Sequence, residues 1–65
     1  MTKIRRGGYV FISWVGDHGP RHVHVYRDGR LVVRWDLERS KPIGVHIVPS
    51  RVREIIAELV KEGRL

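Results

Sequence analysis

The fold of this chain is decided by one stretch, His22-Val23-His24-Val25-Tyr26-Arg27-Asp28-Gly29-Arg30-Leu31-Val32-Val33-Arg34-Trp35-Asp36. Two runs rich in β-branched and aromatic residues flank Asp-Gly, which is the signature of a β-hairpin. The register of that hairpin determines where the histidines point. A two-residue Asp28-Gly29 turn sets Tyr26 against Leu31 and His24 against Val33, which puts both histidines on the face of Leu31, Val33 and Trp35 and buries polar groups. A three-residue Arg27-Asp28-Gly29 loop, closed by glycine in the left-handed region as a bulge, pairs Val25 with Leu31 and Val23 with Val33. The faces then segregate, with Val23, Val25, Leu31, Val33 and Trp35 on one side and His22, His24, Tyr26, Val32, Arg34 and Asp36 on the other. Because a one-residue slip inverts every side chain, apolar segregation selects the three-residue loop.

Upstream, Tyr9-Val10-Phe11-Ile12-Ser13-Trp14-Val15 reads as a strand with apolar groups on both faces, preceded by Gly7-Gly8 and ended by the turn Gly16-Asp17-His18-Gly19-Pro20. Downstream, Glu38-Arg39-Ser40-Lys41-Pro42 leads into a short extended stretch from Ile43 to Val48, with Ile43, Val45 and Ile47 on one face. The period then changes. Ser50 is placed to cap a helix in which Val52, Ile55, Ile56, Leu59 and Val60 recur at helical spacing, Lys61 suits the final turn and Gly63 terminates it. That apolar stripe requires a partner, and the valine and tryptophan face of the hairpin supplies one. The expectation is a single α+β domain over 1–65: a small antiparallel sheet of three to four strands, ordered β-β-β-(β)-α, with one C-terminal helix on one face and the histidine face left open. Trp35, and Trp14 with it, are expected in the core, and His46 at the surface of a short edge strand.

The 65 residues permit one small domain, whose limited core favours a second chain, either a homodimer or a small protein partner. The absence of cysteine excludes disulfide scaffolds, thiol catalysis and cysteine-ligated zinc. No apolar run approaches the roughly 20 residues of a membrane span, so a soluble cytoplasmic domain is expected, without a membrane partner. Thirteen Lys and Arg against seven Asp and Glu give a net charge of +6, and nine of those cations fall before residue 50. Arginine dominates, and its planar fork suits phosphate and carboxylate, so the balance favours an anionic partner, RNA or an acidic protein. No cofactor is expected, since Gly7-Gly8 lacks the spacing and lysine of a phosphate loop.

Three of the four histidines, His18, His22 and His24, lie within seven residues. On a strand His22 and His24 project from one face about 6.5 to 7 Å apart. The plain structural alternative is a pair of solvated residues stacked on Tyr26 or paired with Asp36. Three chemistries use the same cluster. In the first, His22 and His24 ligate a metal, with His18 or Asp17 as third ligand, although the spacing matches no zinc signature. In the second, His22 and His24 act as acid and base on a phosphodiester, as in metal-independent ribonucleases, with Arg34 stabilising the phosphate and Asp36 or Asp17 orienting a ring. In the third, the face binds RNA or a partner without chemistry. His18, His22, His24, Tyr26, Arg34 and Asp36 would then make the contacts, with Arg21 and a basic arm of Lys3, Arg5 and Arg6 beside them.

The segment Asp17-His18-Gly19-Pro20-Arg21-His22-Val23-His24-Val25, followed by the Asp28-Gly29 turn and an amphipathic C-terminal helix, resembles the small prokaryotic domain-of-unknown-function family numbered 4160. The likeness runs from about Tyr9 to Glu62 and centres on an H-x-P-x-H-x-H-V pattern carried by His18, Pro20, His22, His24 and Val25. Family members more often carry a run of prolines where Gly19 and Arg21 stand, and a tryptophan-bearing extension beyond the helix. The resemblance implies a gene context like that of a toxin and antitoxin pair, with no settled activity. A weaker likeness, through Asp28-Gly29-Arg30 and the strand-strand-helix order, links the chain to small histidine-containing messenger-RNA interferase toxins, whose N-terminal helix it lacks.

Overall fold

The computed structural model describes residues 2–13, 21–44 and 47–65. Five strands, β1 (Thr2–Arg6), β2 (Tyr9–Ser13), β3 (His22–Arg27), β4 (Arg30–Asp36) and β5 (Lys41–Pro42), form one antiparallel meander in the order β1-β2-β3-β4-β5, and helix α1 (Ser50–Lys61) follows. The expected α+β class holds, with more strands than the sequence reading supplied.

The additional strand is β1. The residues expected as a basic arm pair along β2, with Ile4 opposite Phe11 and Arg6 opposite Tyr9. Gly7 and Gly8, at φ 62° and 84°, form the two-residue turn between them, a backbone in which both central residues need positive φ. Alternation does the rest: Ile4 points into the core, and Lys3 and Arg5 point away from it.

The β3–β4 hairpin combines a two-residue turn with a segregated apolar face. Asp28 and Gly29 both adopt positive φ, 52° and 77°, so the turn is the two-residue kind, with Arg27 opposite Arg30 and Tyr26 opposite Leu31. A register shift between Val25 and Tyr26 then introduces an extra residue in β4, and beyond it Val25 pairs with Val33, Val23 with Trp35, His24 with Arg34 and His22 with Asp36. The bulge lies within the strand instead of closing the loop, so the expected pairs of Val25 with Leu31 and Val23 with Val33 are displaced by two residues. The facial segregation survives for Val23, Val25, Val33 and Trp35, all buried, whereas Leu31 lies on the turn side of the bulge and is exposed. Val32, assigned to the open face, packs half-buried against the core.

The core is a single layer between sheet and helix. Ile4, Tyr9, Phe11, Val23, Val25, Val33 and Trp35 meet Val52, Ile55, Ile56 and Leu59, and Phe11, Ile55 and Leu59 are the largest side chains fully withdrawn from water. Val60, assigned to the apolar stripe, falls at its margin and is exposed. The helix starts one residue earlier than the serine cap predicts. Pro49 takes the cap position, at φ −57° and ψ 137°, and its carbonyl accepts from the Val52 and Arg53 amides, so Ser50 is already helical and its side chain caps nothing. The C-terminus follows expectation. Gly63, at φ 74°, donates to the Val60 carbonyl and Arg64 donates to that of Leu59, the paired bonds of a Schellman motif.

The stretch from Ile43 to Val48 does not form the expected strand in its described part. The edge strand is displaced to Lys41–Pro42, Gly44 turns the chain at φ 82°, and Ile47 stands in solvent. The cause is Asp36, whose carboxylate accepts from the Glu38 and Arg39 amides at 2.9 and 3.0 Å and folds residues 37–40 into a tight return that delivers Lys41 opposite Asp36. Trp14, Val15 and the 16–20 turn, together with Val45 and His46, lie outside the described residues. No helix among the described residues is long and apolar enough to cross a membrane.

Candidate functional site

The helix covers one face of the sheet, and the site is the other. On that face β3 presents His22, His24 and Tyr26, a consequence of period-two alternation with Val23 and Val25 pointing inward. The three rings form a continuous column: His22 meets His24 edge to face at a centroid separation of 5.2 Å, and His24 stacks on Tyr26 at 6.4 Å with 23° between planes.

Strand pairing sets residues beside this column in three rows. One row reads Lys3, Ile12, His24, Arg34 across β1 to β4, and the next reads Arg5, Val10, Tyr26, Leu31. A third, shorter row joins His22 to Asp36 and Lys41. Lys3 and Arg5 therefore flank the rings on one side, and Arg34 and Lys41 on the other. All four cations are exposed, and none has an ion-pair partner among the described residues. Val10 and Ile12 form a half-buried apolar floor between the β1 cations and the rings. The result is a stacking column and a shallow apolar strip set between two cationic margins.

Not every residue expected at the site belongs to this face. Arg6 lies on the helix side, where its guanidinium donates to both carboxylate oxygens of Glu62 at 2.7 and 3.0 Å. That hydrogen-bonded pair raises the Arg6 pKa and lowers that of Glu62, each chiefly through the bond to the other. Its work is to tie β1 to the end of the helix. Asp36 is buried on the ring side, where its Oδ1 accepts from the Glu38 and Arg39 amides and the Arg39 guanidinium lies 3.7 Å from its Oδ2, so it shapes the following turn. Arg21 is exposed at the entrance to β3, where its carbonyl accepts from the Leu37 amide. His18 lies outside the described residues, as does Asp17.

Sequence reasoning missed Lys41, Val10 and Ile12 as members of this face and placed Lys3 only beside it. The signal was present: Gly-Gly between Lys-Ile-Arg-Arg and an apolar run is a hairpin turn, and alternation around Ile4 then assigns Lys3 and Arg5 outward. Among the described residues, no three His, Asp or Glu side chains group closely enough to hold a metal ion. Comparison of the chain with protein-family models, with characterised proteins and with solved structures returns no match.

Proposed function

We propose that the open sheet face binds single-stranded RNA, with His22, His24 and Tyr26 as stacking groups and Lys3, Arg5, Arg34 and Lys41 as phosphate contacts. The observation that carries this reading is the flanking of the ring column by exposed cations without ion-pair partners among the described residues. Bases stack on aromatic faces at about 1–3 kcal/mol each while cations track the backbone, and a sheet surface holds both kinds of group in fixed register. The resemblance to the domain-of-unknown-function family numbered 4160 supports placing such a module in a toxin–antitoxin-like or regulatory gene pair, where an RNA target and a small protein partner or homodimer both have a role.

A second reading draws on the same geometry. Two imidazoles 5.2 Å apart, with Arg34 opposite His24 in the ladder, supply an acid, a base and a cation for cleavage of the RNA so bound. One experiment separates the readings. A labelled single-stranded RNA dodecamer is added to isotope-labelled protein, and the amide signals and RNA length are followed across pH 5 to 8. Binding predicts shifts confined to β1–β5 positions of the open face with intact RNA. Cleavage adds a bell-shaped rate profile that a His22→Ala, His24→Ala variant loses. Shifts confined to α1, or none, would refute both.

A further inference from the structure

The opposite side of the molecule carries a second recognition feature, independent of the RNA reading. Between α1 and the end of β4 lies a pocket of about 350 Å³, walled by Trp35, Leu37, Ile56, Ala57 and Val60, with Ser40, Arg53 and Lys61 at its lip. Its walls are apolar, and its charged rim is of one sign. The two acids of the helix and the one that follows it are engaged elsewhere: Glu54 and Glu58 face Arg51, and Glu62 is held by Arg6. Arg53 lies over the Trp35 ring at 5.8 Å, and neither Arg53 nor Lys61 has a carboxylate partner among the described residues. Val60, exposed and in the pocket wall, leaves the apolar stripe of the helix incompletely covered on this side.

We infer that this pocket docks an acidic peptide segment of a partner protein, seating one bulky apolar side chain against Trp35 and Val60 and pairing flanking carboxylates with Arg53 and Lys61. Charge complementarity selects the partner: a second copy of this chain brings a net charge of +6, and like charges brought together at an interface are repelled. The lining favours a peptide over a small acid. Arg53 and Lys61, eight positions apart on one helix or about 12 Å along its axis, stand at the lip of a pocket with apolar walls, which suits an apolar side chain with acidic neighbours on the same peptide. The volume is near the lower end of the roughly 300–1,000 Å³ of ligand pockets, and suits one anchoring side chain with its neighbours. Anchors of this kind carry most of the energy of a small interface, while rim charges set encounter rate and partner choice.

The test is a titration of the intact protein with a synthetic dodecapeptide carrying a central phenylalanine and leucine among glutamates, followed by NMR at the Trp35 indole N–H and the Ala57 methyl. Saturable shifts are expected at both probes, with the ring column of β3 unmoved. Ala57→Glu, an exposed position that tolerates the change in the fold, and an Arg53→Ala, Lys61→Ala pair are each expected to weaken binding by roughly tenfold or more. Three results would overturn the inference: no shift up to about 1 mM peptide, the range of the weakest specific complexes; equal binding by a peptide with serine in place of the apolar pair, which reduces the effect to bulk charge; and concentration-dependent shifts at Trp35 in protein alone, which assigns the pocket to a second copy.

Discussion

Salt dependence gives the sharpest test of the open face. Four cations on it, Lys3, Arg5, Arg34 and Lys41, are exposed and without ion pairs among the described residues, so each is available to displace a counterion from a phosphate. For a single strand each such contact contributes about −0.7 to the slope of log K against log salt, so four predict a slope of about −2.8. Raising NaCl from about 50 to 200 mM should then lower affinity by about fifty-fold. Arg34→Ala removes one contact and should flatten the slope to about −2.1, which reduces the loss over the same range to about twenty-fold. Arg51→Ala makes the informative contrast, because Arg51 lies on the helix and pairs with Glu54 and Glu58, so its removal should leave the slope unchanged. Fluorescence anisotropy of a labelled oligouridylate at five salt concentrations measures all three. A slope shallower than about −1, or one that responds to Arg51 and not to Arg34, would refute the reasoning.

Two further predictions concern what holds the face in place. At Gly7 an added Cβ would sit 2.7 Å from the Ile55 Cδ1, whereas at Gly8 it would meet nothing within 4 Å, although both have positive φ. Backbone strain of about 1–2 kcal/mol, partly offset by about 0.4–1 kcal/mol of lost unfolded-chain entropy, applies to both, and only Gly7→Ala adds about 1–3 kcal/mol of overpacking. Gly8→Ala should lower the melting midpoint by about 7 °C and Gly7→Ala by about 15–20 °C, using about 2.1 cal/mol/K per residue for the unfolding entropy. Equal losses in thermal or urea melts would remove the helix contact from the account. The Arg6–Glu62 pair predicts a pH dependence: because Glu62 titrates lower in the folded chain, its stabilising contribution is present above the ordinary glutamate range and disappears as pH falls through the lowered value. The difference in melting midpoint between the native chain and Glu62→Gln should therefore be largest near neutrality and shrink in acid; a constant difference from pH 7 to 3 contradicts it.

Local chemistry explains what was legible in advance. The amphipathic period from Val52 to Leu59, the glycine stop at Gly63 and the burial of Val23, Val25, Val33 and Trp35 depend on neighbours a few residues away, and their side-chain patterns carry the information. The grouping of His22, His24, Tyr26 and Arg34 on one face follows from the same alternation. Non-local pairing determined the rest. Each of the two turn readings of the hairpin meets one requirement only, and a bulge opposite Val25 and Tyr26 satisfies the turn geometry and the apolar face together. The Thr2–Arg6 segment looks like a charged arm until β2 offers it a ladder and a core slot for Ile4, and it is this pairing that brings Lys3 and Arg5 beside the rings while committing Arg6 to Glu62. Asp36, by bonding the backbone of its own turn, moved the edge strand from Ile43–Val48 to Lys41–Pro42 and so set Lys41 on the open face. A sequence determines by itself which side chains share a face of a strand or helix, because that periodicity is a property of the backbone. Which strands become neighbours, and hence which charges meet which rings, is decided only when the whole sheet competes for its hydrogen bonds and its single buried layer.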